Sequence, residues 1–456
     1  MVKLIFIALA LITFLGTLNS CGVNRLIWFF SGIIFLQDRI VLLKTPTELG
    51  VHRLLIYTLL ISELIYTKKF FADFKKFPLK KSMLVFLLGY LIIGVFDSRN
   101  NPFLNVYRLI DDFIQTFAII FLCYVNLQKL EDWARLLKFF FIVSVIVSAY
   151  GLFNFITKSN PIDALITNNF VSESYFNIYA LYDDRFRVNA FVSHPIYYGY
   201  LSGVLFLLAF YCFSLKMEYK KICILLMPLT FLNLLFSNSR TPLLATFIGL
   251  IIFIFFGFAK NQIFRIAFGA CLLCLFCYNI PLVKDKIDNT IDIFITGGEK
   301  TVGSSVDSRT TQLMASYNLF LKSPITGNGA KYISENLGAT DFAETNRSDD
   351  DFGGFESYIY HILIEQGLVG ILINIILFRN LIIFFFRCSS DNKSLKGLGL
   401  AITVMFLTFS IGTGSLGAWP ISMGLIGLIM KYFDLKSISD LKETSVINTS
   451  EIKFSF

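Results

Sequence analysis

The chain has 456 residues, 55% of them hydrophobic and only 16% charged, with a formal net charge of +8 and a mean hydropathy of +0.67. These values lie outside the range of a soluble globular domain. The continuously apolar runs also exclude a β-barrel, whose strands alternate and are far less hydropathic. The positive charge sits in short connections between apolar runs, where it orients a polytopic helical protein and gives no reason to expect nucleic acid.

Met1 to Leu15 reads as a first membrane segment that stays; the alternative is a signal cleaved at Leu18-Asn19-Ser20-Cys21. Asp38 and Arg39 leave the run from Arg25 to Leu43 ambiguous. Leu54 to Tyr66 is a further apolar run. Six lysines then cluster between Thr67 and Lys81, which places that connection in the cytoplasm and sets the register of everything after it. Met83–Phe96 then runs outward, Leu109–Tyr124 inward and Phe139–Ile156 outward, so the stretch 157–193 is an external loop. Ile196–Leu215 returns to a basic turn, Ile222–Phe236 runs out, and Ser237-Asn238-Ser239-Arg240-Thr241-Pro242 is a short external turn.

Leu243–Phe258 and Ile266–Ile280 form the next pair, which makes 281–354 a long external loop containing short helices. Phe355–Phe378, Leu398–Ile411 and Ile421–Tyr432 complete about 12 crossings and leave a polar cytoplasmic tail. The expected fold is all-α: one transmembrane domain over 1–456, without internal repeats. Eight cysteines lie mostly within apolar runs and imply no disulfide framework. Cys271, Cys274 and Cys277 imitate a metal spacing but read as small core residues, since no fourth ligand is near in sequence.

On this register Arg185, Arg187, His194, Arg240, Arg309 and Glu356 all fall on the outer side, against the usual distribution of arginine. A guanidinium binds phosphate oxygens bidentately, so outward arginines suit a phosphate or diphosphate. Arg240 has hydroxyl and amide neighbours, among them Ser239, that suit a helix cap and an anion site. Arg309 opens an amphipathic stretch, Thr310 to Leu321, that can lie on a membrane surface and set a loop over a cavity; it leads to Ser323-Pro324-Ile325-Thr326-Gly327-Asn328-Gly329. Glu356 heads the next apolar helix, with His361 and Glu365 deeper along it. Arg108, Asp111 and Asp112 read as a self-paired cluster, and Glu63 as pairing with Lys68 or reaching for the interface.

Four stretches together resemble the bacterial O-antigen polymerase and O-antigen ligase superfamily. They are Arg187 to Tyr200 with its Phe-Val-Ser-His-Pro-Ile-Tyr-Tyr-Gly pattern, Asn238-Ser239-Arg240-Thr241, Arg309 with Ser323 to Gly329, and Glu356 to Gly370. The first 180 residues match only in hydropathy. The resemblance implies an enzyme of the bacterial cytoplasmic membrane, with its site facing the periplasm or cell exterior. Its substrates would be polyprenyl-diphosphate-linked oligosaccharides. A flippase and a chain-length regulator would be its partners, and neither metal, nucleotide sugar nor other cofactor would be needed.

It implies diphosphate binding by Arg240 and Arg309, helped by Arg187 and Arg185, and substrate contacts from His194, Ser239 and Asn328. Ligases of the superfamily carry a histidine nine residues before the glutamate of Glu-x-Gly. Here that position is Glu356, and His361 is offset from it. A carboxylate there resembles the polymerases, so Glu356, with His361 nearby, is the expected catalytic pair. The alternatives are a ligase that attaches finished glycan, and a flippase or transporter. The latter predicts midplane polar groups and repeated halves.

Overall fold

The computed structural model describes residues 2–43, 49–66, 69–97, 101–170, 181–182, 185–215, 220–259, 306–336, 355–388, 392–414 and 417–451. The expected crossing at 266–280, the three spaced cysteines and most of the loop 281–354 lie outside these residues, as do the side chains of Arg185 and Arg309.

The described chain is helical apart from two small hairpins, 41–43 with 49–50 and 181–182 with 185–186. In order the helices are α1 Val2–Asn19, α2 Gly22–Phe35, α3 Val51–Tyr66, α4 Phe70–Lys76, α5 Lys80–Phe96, α6 Pro102–Thr116, α7 Ala118–Asn126, α8 Leu130–Thr157 and α9 Pro161–Phe170. They continue with α10 Pro195–Ser214, α11 Lys220–Phe236, α12 Arg240–Gly257, α13 Val306–Lys322, α14 Tyr332–Asn336 and α15 Tyr358–His361. A π-helical turn follows at Ile362–Gln366, then α16 Gly367–Arg387, α17 Lys393–Thr413 and α18 Trp419–Glu451.

Among the described residues, six helices are long and apolar enough to cross a membrane, or up to eight if each of two bent pairs is one span. One bent pair is α4 with α5, turned by 106° at a break containing Pro78, whose ring removes a backbone donor. The other is α6 with α7, bent by 42°, where the sequence reading expects a single run. Two shorter apolar helices add to these. The protein is therefore an all-α polytopic membrane protein. The polar stretch after Tyr432, expected as a tail, continues α18 to Glu451.

Charged groups inside the bundle find partners the sequence reading does not assign. Lys68, the partner expected for Glu63, lies outside the described residues; Glu63 forms a buried ion pair with Arg25 of α2, which also donates to Asn126 Oδ1 at 3.4 Å. The trio on α6 is not self-paired either. Asp111 takes Arg53 and the Tyr57 hydroxyl, Asp112 accepts from Tyr90 Oη at 2.7 Å, and Arg108 pairs at 2.6 Å with Glu335 of α14. Helices one, three and eight apart in chain order thus satisfy ions that a nearest-neighbour reading pairs along one helix. Removing one partner of a buried pair strands the other charge. Glu63→Ala should therefore cost about 3–5 kcal/mol of stability, while Arg25→Met with Glu63→Leu restores most of it. Thermal unfolding in detergent checks this; a Glu63→Ala shift no larger than that of the exposed Lys76→Ala would contradict it.

Candidate active site

The local structure of the site starts from a broken helix. At Ile362–Gln366 the helix widens to a π turn, and Gly367 then leaves helical geometry at φ +60°. This break frees backbone groups on both sides of it, and the Pro324–Gly329 turn takes them up. Asn328 N donates to Ile364 O at 2.7 Å and Gly329 N to Glu365 O at 3.0 Å. In return Leu368 N donates to Pro324 O at 2.9 Å and Val369 N to Ile325 O at 3.0 Å. Four backbone bonds thus join two segments about 40 residues apart in the chain.

Glycine is required at the crossing. Gly327 has φ +73°, and a Cβ there would lie 2.3 Å from the Glu365 carbonyl carbon; at Gly367 it would lie 2.5 Å from Gly327 N. Asn328 completes the lock, its Nδ2 donating to Leu319 O and Ile364 O, each at 2.9 Å. Glu365 Oε1 accepts from Ile333 N at 3.0 Å and so fixes the start of α14. The amide of Asn328, expected to meet substrate, is thus committed to backbone, and Glu365 is a fastener.

This unit positions Glu356. Its backbone N donates to Gln312 Oε1 at 3.2 Å, so α13 holds the residue at the head of α15, where the side chain is half-buried. Ser357 caps the same helix by accepting from Ile359 N at 3.3 Å. His361 lies deeper, its Nε2 in a 3.1 Å hydrogen bond with Phe355 O, and so bridges back to the residue before Glu356.

A second polar group forms where α10 and α12 begin. Val188 N donates to Phe236 O at 3.1 Å, laying the strand before α10 against the end of α11. Arg187 then reaches across, donating through Nη2 to Ser239 Oγ at 2.8 Å and through Nε to Ser237 O at 3.4 Å. Arg240, next to that serine, is exposed. The close approach depends on Gly199, where a Cβ would lie 2.5 Å from Ser237 Oγ and 3.1 Å from Pro242 Cβ. His194 caps α10, Nδ1 accepting from Ile196 N at 3.1 Å. Burial, then the guanidiniums of Arg187 and Arg39, lower its pKa from 6.5 to about 3, so it stands as neutral imidazole.

The end of α17 brings the two groups together. A Cβ on Gly412 would meet Thr241 Cγ2 at 2.3 Å, one on Gly414 would meet Glu356 O at 2.9 Å, and one on Gly417 would meet the Tyr197 ring at 3.4 Å. Gly412, Gly414 and Gly417 therefore lie against the Arg240 turn, the Glu356 segment and the first turn of α10 respectively. The turn that bears Arg240 and the backbone of Glu356 thus flank the end of α17. That pairing suits charge stabilisation on one reactant and proton acceptance from another.

Sequence reasoning missed the contribution of the chain's first third. Gln37 Nε2 donates to Val192 O at 3.3 Å and to Asp163 Oδ1 at 3.0 Å, while Arg39 lies 3.8 Å from the same carboxylate. Burial raises the Asp163 pKa, with Arg39 and then Gln37 opposing it. The available signal was the polar interruption at Asp38-Arg39 itself, which ended one apolar run and entered the wall beside His194.

Residues 225–375 match the family model described as O-antigen ligase. No curated protein matches the chain. The matched segment includes the Arg240 turn, the Gly327 lock and the head of α15; α10 and Arg187 precede it.

Two consequences are measurable. Gly367→Ala and Gly327→Ala should each destabilise the detergent-solubilised protein more than Gly417→Ala, because all three share the strain of a positive φ but only the first two also drive Cβ into backbone atoms. Equal melting temperatures for the three would contradict the lock. For His194, the unfolded imidazole takes a proton first as pH falls. Its stabilising effect is complete above pH 6.5 and is lost progressively as pH drops toward about 3. His194→Asn keeps the cap and removes the titration. Its melting temperature should decline less than the wild type's over that window, and parallel declines would contradict the assignment.

Proposed function

We propose that the chain, whose residues 225–375 match the family model described as O-antigen ligase, is a polysaccharide polymerase acting on lipid-linked repeat units at the outer face of the cytoplasmic membrane. One observation supports this reading: Thr241, next to Arg240, and the backbone of Glu356 lie against Gly412 and Gly414, and Arg187 bonds Ser239 in the same turn. In the reaction, the hydroxyl of an acceptor repeat unit attacks the anomeric carbon of the growing glycan and gives its proton to the Glu356 carboxylate. The bond from that carbon to the diphosphate breaks, and its electron pair leaves with polyprenyl diphosphate. Arg240, Arg309, Arg187 and Arg185 stabilise the charge gathering there. Direct displacement inverts the anomeric centre.

Ser239 holds Arg187 in place, while His194 and Asn328 act one step back by fixing α10 and the loop. The lipid diphosphate is itself the leaving group, so the chemistry calls for neither metal nor nucleotide sugar. The product could be O-antigen, capsule or exopolysaccharide.

A second reading, ligation of finished glycan onto a lipid or protein acceptor, draws on the description of the matched family and on His361 near the site. Gel profiles of surface glycan separate the two. Deleting the gene, or substituting Arg240→Ala or Arg309→Ala, should leave single repeat units. Glu356→Gln should lower the polymerisation rate by about 10²–10⁴-fold. Normal chain lengths in both arginine variants would sink the proposal. Complete polymer stranded on the carrier lipid would favour the ligase.

A further inference from the structure

Helix α13 is built inside out. Gln312 and Ser316 are 2% and 0% exposed, and with Ala315 and Leu319 they face the protein, the two apolar residues packing on the small core of Ile333, Phe355 and Ile364. On the opposite face Leu313, Tyr317 and Leu321 are 48%, 54% and 55% exposed, with Met314 beside them. A helix in water turns its apolar stripe inward. Here two polar side chains, Gln312 and Ser316, are buried while a stripe of large apolar ones is outside, which suits a helix lying in the boundary of the hydrocarbon.

The stripe is continuous with a membrane-spanning surface. One turn beyond Leu321 is Ile325, 66% exposed, whose carbonyl accepts from Val369 N of α16, while Pro324 O accepts from Leu368 N. Leu368, Leu372 and Ile375 are exposed on α16, at the spacing of one helical face within the candidate span Tyr358–Arg387. An unbroken apolar path therefore runs from α13, through the Ile325 turn, onto the lipid-facing side of that span. Asn318 and Lys322 supply polar groups alongside it, as interfacial helices require.

We infer that α13 is an interfacial helix that rests on the bilayer, with Leu313, Tyr317, Leu321 and Ile325 buried in the boundary between headgroups and acyl chains. The partner surface is lipid. Residue 309 lies one helical turn before Leu313, so the same helix sets Arg309 at headgroup depth. That is the depth at which the phosphates of a membrane-anchored diphosphate lie. This last consequence rests on the proposed polymerase reading, whereas the lipid contact does not.

The test places a fluorescent non-natural residue singly at 313, 317 or 321 of the full-length protein, with 372 as the membrane-span reference and 318 as the polar-side reference. The protein is held in nanodiscs of phosphatidylethanolamine and phosphatidylglycerol, and emission is quenched either by nitroxide lipids labelled near the headgroup or by aqueous iodide. Positions 317 and 321 should be quenched strongly by the lipid-borne nitroxide and shielded from iodide, more like 372 than like 318. Iodide quenching equal to that at 318 would overturn the inference by placing the stripe in water. Shielding from both quenchers would overturn it by showing protein over the stripe. Because the readout is independent of catalysis, normal glycan lengths in the Arg240→Ala and Arg309→Ala strains would defeat the polymerase reading and leave the lipid contact standing.

Discussion

The interlock between Pro324–Gly329 and Ile362–Val369 is the constraint on which the rest of the site depends. A continuous α-helix through 358–387 would satisfy its own amides and carbonyls and offer the loop nothing to hold. The π turn and Gly367 instead release the carbonyls of Ile364 and Glu365 and the amides of Leu368 and Val369, and the loop supplies partners for all four. Orphaned backbone near a bilayer is costly, so each segment needs the other. Through Leu319, Ile333 and Gln312 the lock extends to α13, to α14 and to the backbone of Glu356.

The bundle does the corresponding work for the arginines. Gly199 lets α10 come close to the Ser237–Pro242 turn, and Gly412 receives Thr241. Small residues at these crossings let α10 and the end of α17 pack against the turn that bears Arg240. The polar side chains of the site therefore stand on packed helices, and the loop contributes by locking onto them. His194 shows the electrostatic side of this arrangement: two arginines and burial keep its ring neutral, which preserves the cap at the start of α10.

Much of this was legible in the sequence, and the boundary of legibility has a physical reason. The all-α membrane class followed from hydropathy, because hydrocarbon imposes long apolar runs on any helix that spans it. Arg187, Ser239 and Arg240 were each singled out in the sequence, whereas the hydrogen bond from Arg187 to Ser239 was not foreseen there. The pairing of Arg25 with Glu63, and of Arg108 with Glu335, was not readable, since ion pairs between distant helices leave no local spacing. The backbone bonds of Asn328 and Glu365 were not readable for a related reason. A polar side chain beside glycine suits a ligand contact or a backbone lock equally well in sequence, and only the π turn decides between them.

The central claim is that one site joins a diphosphate-holding arginine group to the Glu356 carboxylate, and a reconstituted assay tests it most directly. Purified protein in proteoliposomes is given synthetic polyprenyl-diphosphate-linked repeat units, and kcat and KM are read from the ladder of products. Arg240→Ala should raise KM for the lipid-linked donor as well as lowering turnover, while Glu356→Gln should lower kcat with donor KM nearly unchanged. A Glu356→Gln enzyme that extends chains at the wild-type rate would contradict the account.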